Sequence, residues 1–460
     1  MKTISRIVLV FLLAGPFPLP AILASAERAP YSASGEAPGL QPETHPASTQ
    51  RTPQVEDSRS EEWRERRRQK GQEIVPPKTS GVVKAFIKVE SGEIVRQIKA
   101  IRWKDFYPKF GQISPESGQG GGVRYYKRTG LGLAVEGSAA ISFTSYRQAE
   151  FHLGRFNQMA PNTLLGPSAF GAPFDFGDER PGKVKSYLYL DLRYRYYPQE
   201  RFYGVGGDSS LEDRTNYLLE DGHYGAAAGY QFGRWVGVGV RGAYLKVDTS
   251  PGTDDAFPTI GDLFDDGTAP GLARQPDFLR FDSAIFINLM DTPGNPHKGG
   301  AIGLSYSRYD ARGDQESDFD SFALDARGYL PLGSRQRVLA VRFFASRDNA
   351  NSGGRIPFYL MDTLGGKETL RGFEQFRFRD ARLIYLSAEY RWEAAPAIEG
   401  VLFYDTGKVF PESDRIEFDH LEHNIGAGIR FKAMNRVIFR LDVGRGREGT
   451  VVHFQFAPSF

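Results

Sequence analysis

The stretch RLIYLSAEYRW, residues Arg382 to Trp392, alternates between apolar and polar side chains. Its polar phase contains Ser387, Glu389 and Arg391. Its apolar phase consists of Ile384, Leu386, Ala388, Tyr390 and Trp392. Because side chains of a β-strand point alternately to the two faces of a sheet, this pattern predicts a strand with one apolar face and one polar face. A soluble sandwich and a membrane barrel with a wet interior both produce this period, so one strand does not decide between them.

The same alternation recurs along the chain after Ser117. In residues 187–197, leucines and tyrosines alternate with Asp191, Arg193 and Arg195. Turn residues separate the alternating segments and predict sixteen strands. These lie near residues 119–128, 131–143, 146–156, 185–197, 210–220, 223–233, 235–247, 278–290, 299–309, 319–330, 337–347, 382–392, 398–408, 422–432, 436–446 and 451–460.

The connections between these strands favour the membrane barrel. On this segmentation the odd-numbered connections are long and the even-numbered ones are short, so long loops gather at one rim and tight turns at the other. This asymmetry and the even strand count are typical of bacterial outer-membrane barrels. The sequence therefore predicts an all-β fold, a 16-stranded antiparallel transmembrane β-barrel of the outer membrane with a disordered N-terminal arm.

Composition agrees with this fold and excludes several functions. The mean hydropathy of the 460 residues is −0.41, which resembles a soluble protein, but barrel strands are apolar only at every second position. The 34 Phe, 22 Tyr and 52 Gly residues suit a barrel. The absence of cysteine excludes disulfides, thiolate metal sites and a cysteine nucleophile. A net charge of +2 gives no reason to expect a nucleic-acid partner.

The N-terminal region divides into three predicted segments. Residues 1–26 have Lys2 and Arg6 before a short apolar run and small residues at the end, which predicts a cleaved signal peptide. Residues 27–80 are low in complexity and predict a disordered periplasmic arm. Residues 81–118 form a short periplasmic segment ahead of the barrel, which occupies residues 119–460.

Several motifs of the chain resemble the BamA/TamA family of outer-membrane barrels, the bacterial surface antigen superfamily. The sequence LRGF, Leu370 to Phe373, lies in the longest connection and is similar to the Arg-Gly-Phe loop of that family. A loop of this composition, taken alone, is simply a solvated surface loop. Four further motifs match in family order, and the chain also ends on Phe460 in an apolar phase, like other barrels. These motifs are FYGVGGDS (202–209), DTPGNPHKGG (291–300), SAEYRW (387–392) and LFYDTG (402–407).

The resemblance implies that the loop folds back into the barrel lumen. Arg371 is then held by Glu389 and Asp405, which lie on the polar phase of their strands and can both point inward. The motif residues Leu370, Gly372 and Phe373 accompany the arginine: Gly372 allows a sharp turn beside the wall, and Phe373 packs against it. The wall motif on the later strand contributes Phe403 and Gly407.

The resemblance also implies a weakly paired junction, or seam, between the first and last strands. The predicted seam comprises Gly120, Gly121 and Gly122 in the first strand and Phe454, Phe456, Pro458 and Phe460 in the last. Glycine weakens a strand interior and proline cannot donate to a ladder, so a labile seam also follows from residue chemistry. The alternative is that the glycines only permit a tight corner of the barrel.

The implied function is insertion, assembly or translocation of other proteins, or membrane remodelling, through this seam. The expected partners are outer-membrane lipids and lipopolysaccharide, and unfolded outer-membrane or secreted client proteins, with no cofactor and no nucleic acid. The location is the outer membrane of a Gram-negative bacterium. Family members normally carry periplasmic substrate-handling domains, and no such domain fits before this barrel. The alternative is a passive structural barrel or narrow channel.

A lipid-modifying enzyme is the third alternative, and we expect no catalysis. The sequence contains no GxSxG motif. Asp419, His420 and His423 are a possible metal site, but three such residues on an extended loop are more often simply solvated. The acidic residues 254–266 could bind calcium weakly, but they lack the ordered ligand spacing of a dedicated site.

Overall fold

A computed structural model describes the chain, which divides into two compact units, Met1–Pro77 and Lys78–Phe460. In the first unit only Glu65 is described, and it is helical and exposed. In the second unit the structure describes residues 103–455, apart from 131, 157–185, 234, 293–294, 314, 352, 396, 415–416 and 434–435. The predicted signal peptide and disordered arm lie outside the described residues.

The described part of the second unit is built on one sixteen-stranded antiparallel sheet in which each strand pairs with its neighbours in the sheet order. The strands are β1 Phe106–Gly111, β2 Gly120–Arg128, β3 Ala134–Ser142, β4 Arg147–Arg155, β5 Ser186–Phe202, β6 Thr215–Phe232, β7 Val236–Pro251, β8 Phe278–Asn288, β9 Gly299–Ala311, β10 Phe319–Leu332, β11 Ser334–Ala350, β14 Arg382–Ala395, β15 Ile398–Phe410, β16 Glu422–Ala433, β17 Arg436–Gly446 and β18 Gly449–Gln455. A separate hairpin of β12 Asp362–Leu364 and β13 Phe378–Asp380 lies in the connection between β11 and β14.

Few helices accompany the sheet. One short α-helix, α1, spans Ile260–Leu263, and two 3₁₀ helices span Gln315–Ser317 and Phe358–Leu360. Among the described residues, no helix is long and apolar enough to cross a membrane.

The two faces of the sheet have inverted polarity compared with a soluble protein. On β10, Phe322 is 49% exposed, while Asp325 on the opposite face is fully buried. On β8, Ile285 is exposed and Asp282 is buried. Apolar side chains therefore face outward and charged side chains face an enclosed interior. This is the arrangement of an outer-membrane β-barrel, which contacts lipid on its outer face and has a polar lumen.

The sequence segmentation is wrong at the first strand. Strand β1 pairs with β2 from Phe106 to Gly111 and belongs to the sheet, although it lies within residues 81–118, which the sequence analysis places ahead of the barrel. The strand has only six residues and contains Pro108. A proline in a short run argues against a central strand, but it is tolerated on an edge, which is where β1 lies.

A second segmentation error compensates for the first in the strand count. Residues 210–220 and 223–233 were predicted as two strands, but Thr215–Phe232 is one continuous strand, β6. The predicted break is absent because Asp221 and Gly222 pair with both neighbouring strands, β5 and β7. A Cβ at Gly222 would lie 2.5 Å from the hydroxyl of Tyr224. The predicted and observed strand counts are therefore both sixteen, although β1 was missed and β6 was divided into two strands.

The missed first strand also reverses the sides assigned to the first four predicted connections, which join β2 to β3, β3 to β4, β4 to β5 and β5 to β6. By strand order, β4 ends and β5 begins at the rim where β6 is followed by β7 and β14 by β15, while residues 157–185 between β4 and β5 lie outside the described residues. The sequence segmentation counted this connection with the long loops. The long connections 252–277 and 351–381 remain at the opposite rim, as predicted.

The long-loop end of the lumen contains the largest apolar cluster. Aromatic side chains from several strands meet the 3₁₀ helix of the 351–381 connection there, and Phe202 and Phe358 have ring centroids 5.0 Å apart. Tyr309 and Phe319 stack at 4.2 Å. This cluster covers the interior above the charged lumen and helps to hold the 351–381 connection inward.

Candidate functional site

The 351–381 connection, which we call the lumen loop, folds against the inner wall of the barrel. Its hairpin pairs Asp362 with Asp380 and Leu364 with Phe378. The chain turns after β12 at Gly365 and Gly366, whose φ angles of 108° and 95° lie in the region that favours glycine. The backbone N–H of Gly366 donates to the carbonyls of Leu370 and Phe373, each at 3.2 Å. These contacts fix the tip that carries the LRGF motif.

Arg371 at this tip lies within hydrogen-bond distance of both carboxylates named from the sequence. Its Nε and Nη2 donate to the two oxygens of Asp405 at 2.9 and 2.7 Å, and Nη1 donates to Glu389 Oε1 at 2.6 Å. Nη2 also donates to Ser387 Oγ at 3.2 Å. The guanidinium lies 3.6 Å from the ring centroid of Phe403. Bidentate pairing and stacking suit the planar guanidinium and not an ammonium group.

Glu389 is shared among three arginines. Its Oε1 also accepts from Arg430 at 2.7 Å, and its Oε2 accepts from Arg391 at 2.8 Å. Arg371, Glu389 and Asp405 are 2%, 0% and 0% exposed. Little water reaches the buried charges of this network. Removing one member therefore leaves another charge unpaired and lowers the stability of the fold.

The residues flanking Arg371 fill the space between the loop and the wall. Leu370 and Phe373 are fully buried in an apolar cluster that also contains Phe378. Gly372 is needed for close approach, because a Cβ there would lie 2.5 Å from Asn424 Cβ and 2.6 Å from the backbone of Gly446. A Cβ at the wall residue Gly407 would likewise lie 2.6 Å from the carbonyl oxygen of Ile384.

Two glycines on β17 receive the loop tip and were not identified from the sequence. A Cβ at Gly444 would lie 2.4 Å from the carbonyl oxygen of Arg371, and one at Gly446 would lie 2.8 Å from the ring of Phe373. Asn424 was also missed, and its Nδ2 donates to Asp405 at 2.9 Å. The detectable sequence signal was the pair of glycines two residues apart on the polar phase of one strand.

The lumen loop also contacts both ends of the sheet. Lys367 Nζ donates to Gln112 Oε1 in the β1–β2 connection. The adjacent Glu368 accepts from Gln455 Nε2 on β18 at 2.7 Å. His453 on β18 donates from Nε2 to the carbonyl of Arg371 at 2.9 Å. Residues Gln112, Lys367, Glu368 and Gln455 therefore form a polar bridge, which we call the seam bridge, between the two edge regions.

The predicted seam residues lie in different settings. Within the described residues no ladder joins β1 to β18, so the seam lies between these two strands. Gly120, Gly121 and Gly122 are in β2 and pair with both β1 and β3, so their assignment to the seam edge is wrong. Gly120 and Gly122 instead permit close approach to β3, where a Cβ would lie 2.6 and 2.1 Å from backbone oxygens.

The last strand is described as far as Gln455. Phe454 is 47% exposed on the outer face, with its ring 4.4 Å from that of Phe439. The seam assignments of Phe456, Pro458 and Phe460 lie outside the described residues.

Burial alters the pKa of three titratable groups in the lumen loop. It lowers the pKa of Lys367 to about 8, although the neighbouring Glu368 opposes the change. Burial raises the pKa of Asp362 to about 6. It also raises the pKa of Asp380 to about 6, and the nearby Asp414 carboxylate acts in the same direction.

The acidic residues considered for metal binding have local partners. Asp262 Oδ2 accepts from the backbone of Thr259 at 2.7 Å, and Asp265 Oδ1 accepts from the backbone of Gly267 at 3.0 Å. His423 stacks on Tyr404. Among the described residues, no group of three or more His, Cys, Asp or Glu side chains is placed to hold a metal ion.

Comparison with known proteins gives one family match and several similar solved structures. The model of the Omp85 superfamily domain matches residues 256–455. No curated protein matches the sequence. The solved structure of BamA from Haemophilus ducreyi lacking POTRA domains 1-3 is similar, with 12% identity and a TM-score of 0.53 over 76% of this chain and 69% of that chain. At this identity the likeness concerns the fold alone.

Two structures of CdiB are also similar to the chain. CdiB from Acinetobacter baumannii has 13% identity and a TM-score of 0.42, over 77% of this chain and 59% of that chain. CdiB from Escherichia coli has 12% identity and a TM-score of 0.44, over 84% of this chain and 73% of that chain. Residues 256–455 of the chain therefore match an Omp85 superfamily domain, and the fold of the chain is similar to that of a BamA outer-membrane barrel.

Proposed function

We propose that this barrel inserts, assembles or translocates other polypeptides at the outer membrane, without catalysis, by opening the seam between β1 and β18. The observation that carries the proposal is the seam bridge. Lys367 and Glu368 are adjacent in the chain, yet one contacts Gln112 beside β1 and the other contacts Gln455 on β18. A loop fixed by Arg371 thus links two strand edges that do not pair with each other within the described residues.

The edge strands have the properties that opening requires. β1 has six residues and β18 has seven described residues, whereas β5 in the wall has 17. An unpaired edge presents backbone N–H and C=O groups that can template an incoming strand. The clients we propose are therefore unfolded polypeptides that form β-strands. Members of the Omp85 superfamily mediate insertion or translocation of other proteins, and the match over residues 256–455 supports the proposal.

The outer-membrane proteome of a deletion strain tests the function most directly. We expect several barrel or secreted proteins to fall in abundance relative to the parent strain and to recover when the gene is restored. An unchanged proteome under several growth conditions would contradict a role in insertion or translocation.

A closed structural barrel or narrow channel is the second candidate function. The observation that favours it is the filled lumen, where the Arg371 network and the apolar cluster occupy both the middle and the long-loop end. Planar-bilayer conductance separates the candidates when it is combined with the proteome. Steady conductance with no proteome change indicates a channel, and a proteome change with little conductance indicates the insertion function.

A further inference from the structure

The outer face of the barrel has a long concavity across six strands, from β6 to β11. Its volume is about 800 Å³. Exposed apolar side chains line it, including Val240, Ile285, Leu304 and Phe322, which are 42–50% exposed. Because these side chains alternate with buried charged residues on the same strands, the concavity faces lipid and not the lumen.

The ladder register arranges the residues that line the concavity in two parallel rows, which makes it a groove across the six strands. One row of neighbouring residues crosses the strands as Arg347, Phe322, Tyr306, Ser283, Val240 and Ala228. A parallel row runs through Ala345, Leu324, Leu304, Ile285, Val238 and Tyr230. Six strands at about 4.8 Å spacing give a groove about 24 Å long.

The groove runs diagonally between the two rims of the barrel. At one end, Arg347 lies three residues before the end of β11, beside the long loops. At the other end, Tyr230 lies two residues before the end of β6, beside the short turn 233–235. The groove is lined by the small side chains of Ser283, Ala345 and Ala228 and by larger side chains next to them. This is a shape suited to a linear apolar chain.

Two arginines stand at the long-loop end of the groove. Arg347 on β11 pairs directly with Arg382 on β14 in the ladder, and both belong to the outward phase of their strands. Like charges directly opposite each other in a sheet are unfavourable. Neither arginine forms an ion pair with any carboxylate of the described residues; Arg347 donates to Asn349 Oδ1 and Arg382 to the carbonyl of Asp414. Arg382 Nε is buried with no partner there.

The outward carboxylate of Asp320 on β10 is paired with other residues. Asp320 accepts a hydrogen bond from Tyr306 at 2.7 Å and pairs with Arg308 at 3.3 Å. The rim beside the groove therefore has an excess of positive charge that an anion can satisfy. An occupant with an anionic head at this rim and an apolar tail in the groove matches both observations.

We propose that this groove is a specific binding site for lipid A of the outer leaflet, with a phosphate held by Arg347 and Arg382 and one acyl chain lying along the groove past Ser283. Position supports this occupant over a phospholipid, because the arginines stand at the long-loop rim, which faces the cell exterior. Arginine binds phosphate through paired N–H donors, which suits this head group. The site stands independently of the proposed seam function.

Native mass spectrometry of the detergent-purified barrel tests the site, with bis-phosphorylated lipid A, fully dephosphorylated lipid A and phosphatidylglycerol as separate probes. We expect one bis-phosphorylated lipid A per barrel. The double variant Arg347→Gln/Arg382→Gln should bind it about tenfold more weakly, since charge-assisted hydrogen bonds are lost. Ser283→Phe should also weaken binding by filling the groove.

Two matched variants serve as controls. Arg337→Gln removes an arginine from the outward phase of β11 at the opposite rim, and Ala326→Phe enlarges an outward alanine of β10 that does not line the groove. Both should bind lipid A as the parent does. Equal binding by all variants would overturn the site, as would equal losses in the controls. Binding of phosphatidylglycerol as tight as that of lipid A would overturn the assignment of the occupant.

Discussion

At the scale of single residues, Arg371 is the side chain on which the position of the lumen loop most depends. It contacts Asp405, Glu389 and Ser387 through hydrogen bonds and Phe403 through its ring. After its removal, Glu389 keeps Arg391 and Arg430, but Asp405 loses its bidentate cation. The cost of the change therefore falls mainly on Asp405.

Arg371→Ala should destabilise the docked loop by about 3–5 kcal/mol, as expected when one partner of a buried pair is removed. The loop should become sensitive to protease in the folded barrel, and the yield of assembled barrel should fall. Arg371→Lys should be intermediate, because lysine retains the charge but cannot pair in a bidentate manner. Arg355→Ala is the matched control, since Arg355 lies exposed in the same connection. A fully resistant Arg371→Ala barrel at parental yield would refute this role.

The sequence could identify some members of this network and not others. Glu389 and Asp405 follow from strand alternation together with the family motif, because both fall on the inward phase of their strands. Arg430 and Asn424 also lie on an inward phase, but many charged residues do, and no local rule states which of them meet across the lumen. Those contacts depend on barrel curvature and on the loop path.

At the scale of elements, the lumen loop packs closely against β17 because β17 has glycines where the loop tip contacts it. Gly446→Ala should displace the Phe373 ring, because the added methyl group would lie within 3.0 Å of it. Gly444→Ala should have a stronger effect, since it meets the backbone of Arg371. Gly242→Ala on β7 is a control, as nothing lies within 4 Å of its Cβ position. The protease sensitivity of the loop should rise in the Gly444 and Gly446 variants and not in the Gly242 variant. Equal sensitivity in all three would exclude close packing of the loop against β17.

The hairpin of the lumen loop should become more stable as the pH falls from 7 to 5. Asp362 and Asp380 have folded-state pKa values of about 6, raised from 3.8, so the folded hairpin binds protons more tightly than the unfolded chain. Their favourable contribution is complete below the unfolded pKa and is lost as the pH rises through 6. Protease resistance of the loop, measured with an enzyme active at both pH values, should therefore increase at pH 5.

The variant Asp362→Asn/Asp380→Asn isolates this effect. Since its amides do not titrate in this range, it should show the same resistance at pH 5 and pH 7. A pH dependence that persists in the double variant would assign the effect to other groups.

The strand assignments show which sequence patterns identify an element. Strands of eleven or more residues with clear alternation, such as β8 and β14, were predicted within a few residues. β1 was missed because six residues with an internal proline give too short a pattern. β6 was divided at Asp221 and Gly222, but both residues pair with β5 and with β7, so the strand continues through them.

At the scale of the whole molecule, the barrel is rigid in its wall and weak at one place. Fifteen ladders connect the sixteen strands, and the position between β1 and β18 has none within the described residues. The seam bridge and the Arg371 network connect this gap to the lumen. The proposed function therefore requires that the edges of β1 and β18 separate when the protein acts.

A reversible disulfide across the seam tests that claim most directly. The native chain has no cysteine, so one cysteine at Lys109 or Gly111 and one at Val451 introduce the only thiols. The control places cysteines at Val443 and Val452, which already pair between β17 and β18. Each variant is expressed in the deletion strain, and the outer-membrane proteome is measured with and without reductant. We expect the oxidised seam pair to fail to restore the depleted proteins, the reduced form to restore them, and the control to restore them in both states; full restoration by an oxidised, verified seam crosslink would contradict the account.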